Sequence, residues 1–194
     1  MYLPVNVPVE SMFKLKKSGG PRDLEVSMVG LKLGASVLQL GGRDGQLIAA
    51  LAKVVGISGE ACAVVETAEE ADGVQRAAGQ LGVLVDVKKT GLGALPFDSD
   101  SFDAVVVPDL IGELRMNARV LWLQDALRVL KPNGRLVVVE AAQRGGLGSW
   151  FSQRSLDRTY VANGGARGAL EAEGFRGVRL LAERDGRSFV EGTK

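Results

Sequence analysis

From Val37 onward, short runs of β-branched and apolar residues alternate with longer stretches in which apolar positions recur at helical spacing. Val37-Leu38-Gln39-Leu40 is a strand-length run closed by Gly41-Gly42. Gln46 to Val55 then sets Leu47, Ile48, Leu51, Val54 and Val55 on one helical face. Ala61 to Val65 predicts a second strand and Ala68 to Leu81 the next helix; Val83 to Val87 predicts a third strand and Ala104 to Val107 a fourth. A helix carrying Val120, Leu123, Leu127 and Leu130 is expected to stop at Lys131-Pro132-Asn133-Gly134, where a cation precedes two breakers. Arg135 to Glu140 predicts a fifth strand and Ala166 to Glu173 a helix closing on Gly174. Val178 to Ala182 and Ser188 to Glu191 predict two final strands joined at Arg184-Asp185-Gly186. Such alternation with nearly continuous apolar strands requires a parallel sheet covered on both faces, and the tight last turn makes its two strands antiparallel. The expected fold is therefore α/β: a doubly wound, mostly parallel seven-stranded sheet, helices on both faces, closed by an antiparallel C-terminal hairpin. Residues 1–20, with two prolines, the basic run Lys14, Lys16 and Lys17, and Gly19-Gly20, read as an N-terminal arm; 21–194 read as one domain.

Composition narrows the chemistry more than the fold. The 194 residues are 46% hydrophobic and 24% charged, and none is histidine. That absence excludes Ser-His-Asp and Cys-His triads, His-bearing zinc sites and any imidazole base. A single cysteine, Cys62, excludes an intrachain disulfide and a thiolate cluster; placed mid-strand between alanines, it reads as a small core residue. Whatever chemistry occurs must run on carboxylates, amides, cations or a bound cofactor. A formal net charge of +1 gives no reason to expect a nucleic-acid partner. No leader is expected and no apolar run is long enough to span a bilayer, so the expected location is the cytoplasm.

In an open doubly wound sheet, ligands bind beyond the carboxyl ends of the strands where strand order reverses. The loop there is Gly41-Gly42-Arg43-Asp44-Gly45, whose glycines let backbone approach a ligand ahead of a helix N-terminus. It does not meet the dinucleotide fingerprint GxGxxG, because Arg and Gln stand at positions 43 and 46. A glycine turn needed only for strand–helix packing is the other reading of this segment. Glu66 ends the second strand, where a carboxylate accepts both hydroxyl hydrogens of a ribose; its alternative is a cap on the helix opening at Thr67-Ala68-Glu69. Beyond the fourth strand, Asp109 is the candidate catalytic base, with capping of the next helix as its alternative. Glu113 reads as a solvated helix residue. Gly145 to Phe151 reads as a loop ending in an aromatic pair, Trp150-Phe151. It is either a lid over an apolar acceptor, a membrane-surface contact aided by Lys14, Lys16 and Lys17, or packing on the sheet edge.

Together these segments resemble the class I S-adenosylmethionine-dependent methyltransferases, particularly the small-molecule branch with the ubiquinone and menaquinone methyltransferases. Val37 to Gly45 looks like the family's first motif, and Val64-Val65-Glu66 like its acidic strand end. Leu95-Pro96-Phe97-Asp98-Ser99-Asp100-Ser101-Phe102-Asp103 is similar to the LPF-x-D-x-SFD segment, and Leu127 to Leu136 to LRVLKPGG-R-L. Leu170 to Phe175 with the last two strands resembles the closing hairpin, so the likeness runs from about Leu31 to the end. It implies a Rossmann-like methyltransferase fold and S-adenosylmethionine as cofactor, held by Gly41, Gly42, Arg43, Gly45, Glu66 and the position of Gly91. It also implies a small, apolar or aromatic acceptor lined by Pro108 to Glu113. Three positions depart from the family pattern: Gln39 where an acidic residue is usual, Arg43 at the middle glycine, and Gly91 where an aspartate holds the adenine amino group. Those departures define a second reading, a chain that keeps the fold without the cofactor and serves as a partner or regulatory subunit.

Overall fold

A computed structural model describes residues 22–90, 94–142 and 156–194. The expected arm, Gly91 and the Gly145 to Phe151 loop lie outside the described residues. The first strand is Ser36–Leu40 (β1), whose Val37, Leu38 and Leu40 are fully or almost fully buried. It pairs in parallel with Glu60–Val65 (β2) on one side and Phe102–Pro108 (β4) on the other. Asp86–Lys89 (β3) lies outside β2, and Leu130–Ala141 (β5) outside β4, again in parallel. Arg187–Thr193 (β7) then inserts antiparallel between β5 and the edge strand Arg176–Arg184 (β6). The order is β3-β2-β1-β4-β5-β7-β6, so the seven-stranded, mostly parallel sheet with its C-terminal hairpin is as expected. Asp185 and Gly186 both have positive φ, 53° and 76°, which gives the hairpin a twist that matches its strands.

Helices cover both faces. Asp23–Val29 (α1), Gln46–Val55 (α2) and Ala68–Leu81 (α3) pack on the face carrying Val37, Ala63, Val106 and Val137. Met116–Val129 (α4), Arg158–Ala162 (α5) and Gly165–Ala172 (α6) pack on the face carrying Leu38, Val64, Val105 and Val138. Successive strand residues thus feed two separate cores, which explains why the strand runs are apolar throughout. Cys62 belongs to the second core; its Sγ–H donates to Glu60, and burial with that carboxylate pushes the thiol up to about 12. It is inert at neutral pH. No helix among the described residues is long and apolar enough to cross a membrane.

Three boundaries differ from the sequence expectation. The third strand is Asp86–Lys89, not Val83 to Val87, because Gly82 turns left-handed (φ 64°) and Val83 N–H still completes the helix end by donating to Ala78 O at 3.0 Å. α4 ends at Val129, before the Lys131-Pro132-Asn133-Gly134 breakers, because Leu130 is already extended and paired with Phe102. The breakers instead form an irregularity within β5: the register passes from Phe102↔Leu130 to Ala104↔Arg135, with Asn133 left-handed at φ 63°. α1 and the short α5 were not expected at all.

The segments that carried the family resemblance hold one another. Arg128 of α4 donates to Phe97 O at 2.8 Å and Leu95 O at 3.1 Å, while Asp125 accepts from Leu95 N–H. Asp103 accepts from Ser36 N–H at 2.8 Å and from Lys131 at 2.9 Å. These motif residues lock the loop before β4 onto α4 and β5, and so serve the fold.

Candidate functional site

The carboxyl ends of β1, β2 and β4 enclose a cavity of about 330 Å³, beside the β1–β4 junction where strand order reverses. That volume is at the lower end of the roughly 300–1,000 Å³ range of small-molecule sites. Gly41, Gly42, Arg43 and Glu66 all line it, so four of the expected cofactor residues come together. Gly41 and Gly42 have φ of 72° and 105°, which strains any residue with a side chain. A Cβ on Gly42 would stand 2.0 Å from Gln39 Nε2. Gly45 does not line the cavity; a Cβ there would meet Val74 Cα at 2.3 Å. Its glycine is explained by the close approach of α2 to α3, the packing reading, and not by a ligand.

Glu66 is exposed at the end of β2, and its carboxylate has no partner among the described residues. The alternative role as helix cap is taken by others. Thr67 accepts from Glu70 N–H at 3.1 Å, and Glu70 accepts from Thr67 N–H at 3.1 Å and Glu66 N–H at 3.0 Å. This capping box leaves the Glu66 carboxylate facing the cavity rather than α3.

Arg43 turns outward across the cavity mouth, 3.7 Å from Glu113, with 76% of its side chain exposed. It therefore does not crowd the glycine loop. Glu113 in turn sits in the turn before α4, not on a helix, and is engaged by Arg43. Asp109, left-handed at φ 50°, also lines the cavity, and both its oxygens accept from Arg187 Nη1, at 3.0 and 2.9 Å. The α4 N-cap position is Arg115, so Asp109 does not cap that helix.

Several residues that shape the site were not expected from sequence. Arg119 of α4, 6% exposed, donates to Ile111 O at 3.3 Å and Leu114 O at 3.1 Å, stapling the loop that forms one cavity wall. Its guanidinium lies 4.8 Å from the Tyr160 ring centroid and 3.6 Å from Asp157. Tyr160 O–H donates to Glu140 at the end of β5, 2.7 Å from either oxygen. Burial pushes the Glu140 carboxyl up; the Tyr160 hydrogen bond opposes that and nearby Asp109 adds to it. The side-chain partners among these, Arg119 with Asp157 and Tyr160 and Tyr160 with Glu140, lie 20 to 41 residues apart, beyond any local pattern.

A fit test for an adenosylated sulfonium can be made on the lining itself. Five carboxylates, Asp44, Glu66, Glu70, Asp109 and Glu113, face it against the guanidiniums of Arg22 and Arg43 and that of Arg187 on Asp109, which leaves a surplus of negative charge. This balance favours a cationic ligand. Gln39 Oε1 and Trp122 Nε1, on two lining residues, are buried without a hydrogen-bond partner among the described residues. The residues present fit the group.

The order β3-β2-β1-β4-β5-β7-β6, with a glycine-loop cavity at its switch point, makes this a Rossmann-like fold. A family model described as a methyltransferase domain matches residues 38–138, and the chain belongs to that family. The ubiquinone/menaquinone biosynthesis C-methyltransferase UbiE of Pasteurella multocida is 34% identical over 117 residues, covering 57% of this chain and 41% of that protein. The same enzyme of Hahella chejuensis is 34% identical over 116 residues, with 57% and 45% covered. The chain thus spans less than half the length of these curated relatives. Among solved structures, a SAM-dependent methyltransferase from Aquifex aeolicus superposes with a TM-score of 0.70 at 23% identity, covering 92% of this chain and 95% of that one.

Proposed function

We propose that this protein is an S-adenosylmethionine-dependent methyltransferase acting on a small, apolar or aromatic acceptor. The observation that carries the reading is the unengaged Glu66 carboxylate, one strand away from the positive-φ Gly41-Gly42 turn and lining the same cavity. When bound, S-adenosylmethionine supplies a methyl group on a sulfonium, ready for in-line attack. Glu66 accepts the two ribose hydroxyls; Gly41 and Gly42 let the chain approach the amino-acid half; the surplus of carboxylates favours the positive charge. The protein's part in the reaction is placement, which needs no imidazole.

The wall from Pro108 to Glu113, stapled by Arg119, is assigned to the acceptor. Asp109 is the candidate group to take a proton from it, with its direction fixed by Arg187. Because the curated relatives are named for C-methylation in ubiquinone and menaquinone biosynthesis, hydroxylated benzoquinols and naphthoquinols are the first acceptors to try. We place the protein in the cytoplasm, as one domain over 21–194 with an arm before it.

Arg43 pairs with Glu113 at the cavity mouth, so one of the three departures that favoured a chain without cofactor, beside Gln39 and Gly91, no longer speaks for it. Calorimetric titration with S-adenosylmethionine and S-adenosylhomocysteine tests the reading. Saturable binding is expected, weakened by about 1–3 kcal/mol in Glu66→Ala, the cost of losing a charged hydrogen-bond partner. No heat at millimolar ligand would overturn the assignment.

A further inference from the structure

Two polar atoms in the cavity lining have no hydrogen-bond partner among the described residues, and they are of opposite kind. Gln39 is 1% exposed; its Nε2 donates to Gly41 O at 2.8 Å, while Oε1, an acceptor, is buried without a donor. Trp122 is 4% exposed, and its only polar atom, the Nε1–H donor, is buried without an acceptor. Gln39 stands on β1 among residues that face α2, whereas Trp122 comes from α4 in the opposite core. Both line the same 330 Å³ cavity. An orphaned buried polar group is costly, and a protein that keeps two around one cavity is expected to satisfy them with what the cavity binds. A tryptophan serving only as core filling would be as well served by phenylalanine, which carries no donor to strand.

We infer that Trp122 is a ligand-reading residue, its indole N–H donating to an acceptor atom on the nucleoside half of the bound molecule. Gln39 Oε1 takes a hydrogen from the amino-acid half, at the glycine loop. The inference rests on the proposed cofactor and adds what holds its base: a donor from α4, a helix to which no cofactor role was assigned from the sequence. Neither contact is an ion pair: the Trp122 bond is neutral, and Gln39 offers an uncharged acceptor to the ammonium, so both are weakened less by salt than a carboxylate–ammonium pair.

The test uses the full chain and two probes: S-adenosylhomocysteine, and 5′-methylthioadenosine, which lacks the amino-acid half. Trp122→Phe keeps the ring and loses the donor. It should weaken both probes equally, by about 5- to 30-fold, whereas Gln39→Leu should weaken only S-adenosylhomocysteine, by a similar factor. A second measurement needs no change at Trp122. The chain has two tryptophans, so in Trp150→Phe the red edge of the near-ultraviolet difference spectrum, where indole absorbs and tyrosine and adenine do not, reports Trp122 alone, and saturating methylthioadenosine should perturb it. Deaza-adenosines, each lacking one ring acceptor, then locate the atom: one of them should bind the parent protein more weakly yet lose nothing further in Trp122→Phe. Equal affinities of parent and Trp122→Phe, or a difference spectrum that stays flat at saturation, would overturn the role of Trp122 and leave the cofactor assignment standing. If the parent binds neither probe, the cofactor assignment fails and this inference with it.

Discussion

At the scale of single residues, the site is a set of groups whose partners decide what they can do. Arg43, Asp109 and Glu66 all line one cavity, yet the first two are engaged by opposite charges and the third has no partner among the described residues. Arg43→Gly therefore restores a glycine without removing a contact to the cofactor. Its exposed pair with Glu113 is of a kind worth about 0–1 kcal/mol, so the thermal midpoint and S-adenosylhomocysteine affinity should both stay near those of the parent. A large loss of affinity would show that Arg43 turns inward when the site fills. Glu140 behaves differently, because burial raises its carboxyl above the ordinary value. A raised acid is most at home protonated, so its contribution to stability is full below the unfolded value and is lost as pH rises through the higher native value. Glu140→Gln keeps an acceptor for Tyr160 and removes the charge. Its midpoint should gain on the parent's progressively as pH rises from about 4.5, the reference value for the free side chain. Parallel pH profiles for the two proteins would contradict this.

At the scale of elements, the motifs divide into those that build the fold and those that build the site. Gly45 belongs to the first group: φ of 66° and a Cβ position 2.3 Å from Val74 Cα leave no room for a side chain between α2 and α3. Gly45→Ala should cost at least about 2 kcal/mol, from left-handed strain plus the displaced helix. It should lower the denaturation midpoint in urea with the ligand absent; an unchanged midpoint would return Gly45 to the cofactor. Arg119 staples the 110–115 turn from within α4. Arg119→Leu strands two carbonyls and Asp157, a loss of about 1–3 kcal/mol. The alternation of strands and helices was legible because each strand feeds both cores and each helix feeds one. The glycine loop and Glu66 were legible because a strand end followed by glycines is a local pattern. Where Arg43 points was not, since its partner lies 70 residues away. The same holds for Trp122 and Tyr160: the apolar stripe read over α4 ran through Val120, Leu123 and Leu127, no helix was expected over Tyr160, and neither an unpaired N–H nor an O–H on Glu140 leaves a local pattern. The breakers after α4 misled for the opposite reason, since β-pairing of Leu130 with Phe102 outcompeted the local stop signal.

At the scale of the whole molecule, the cavity lies where three strands end and where the two helical layers meet. Its lining joins β1, β2 and β4 to α2 through Leu47, to the α3 cap through Glu70, and to α4 through Trp122. A ligand seated there touches both cores at once, so its binding energy should stabilise the domain as a unit and not one loop. With S-adenosylhomocysteine at a hundred times its dissociation constant, linkage adds about 2.7 kcal/mol. For a chain of 194 residues, each kcal/mol moves the midpoint by roughly 2–4 °C, so a rise of about 5–10 °C is expected. Trp122→Phe, with its weaker affinity, should show a smaller rise at the same ligand concentration. Amide exchange gives the spatial side of the same prediction. If the crevice couples the layers, slowest-exchanging amides in β1, β4 and α2 should all gain protection together on binding. Protection confined to the 41–45 turn, with no midpoint shift, would mean that the ligand rests on the rim of the crevice and that the two cores do not share it.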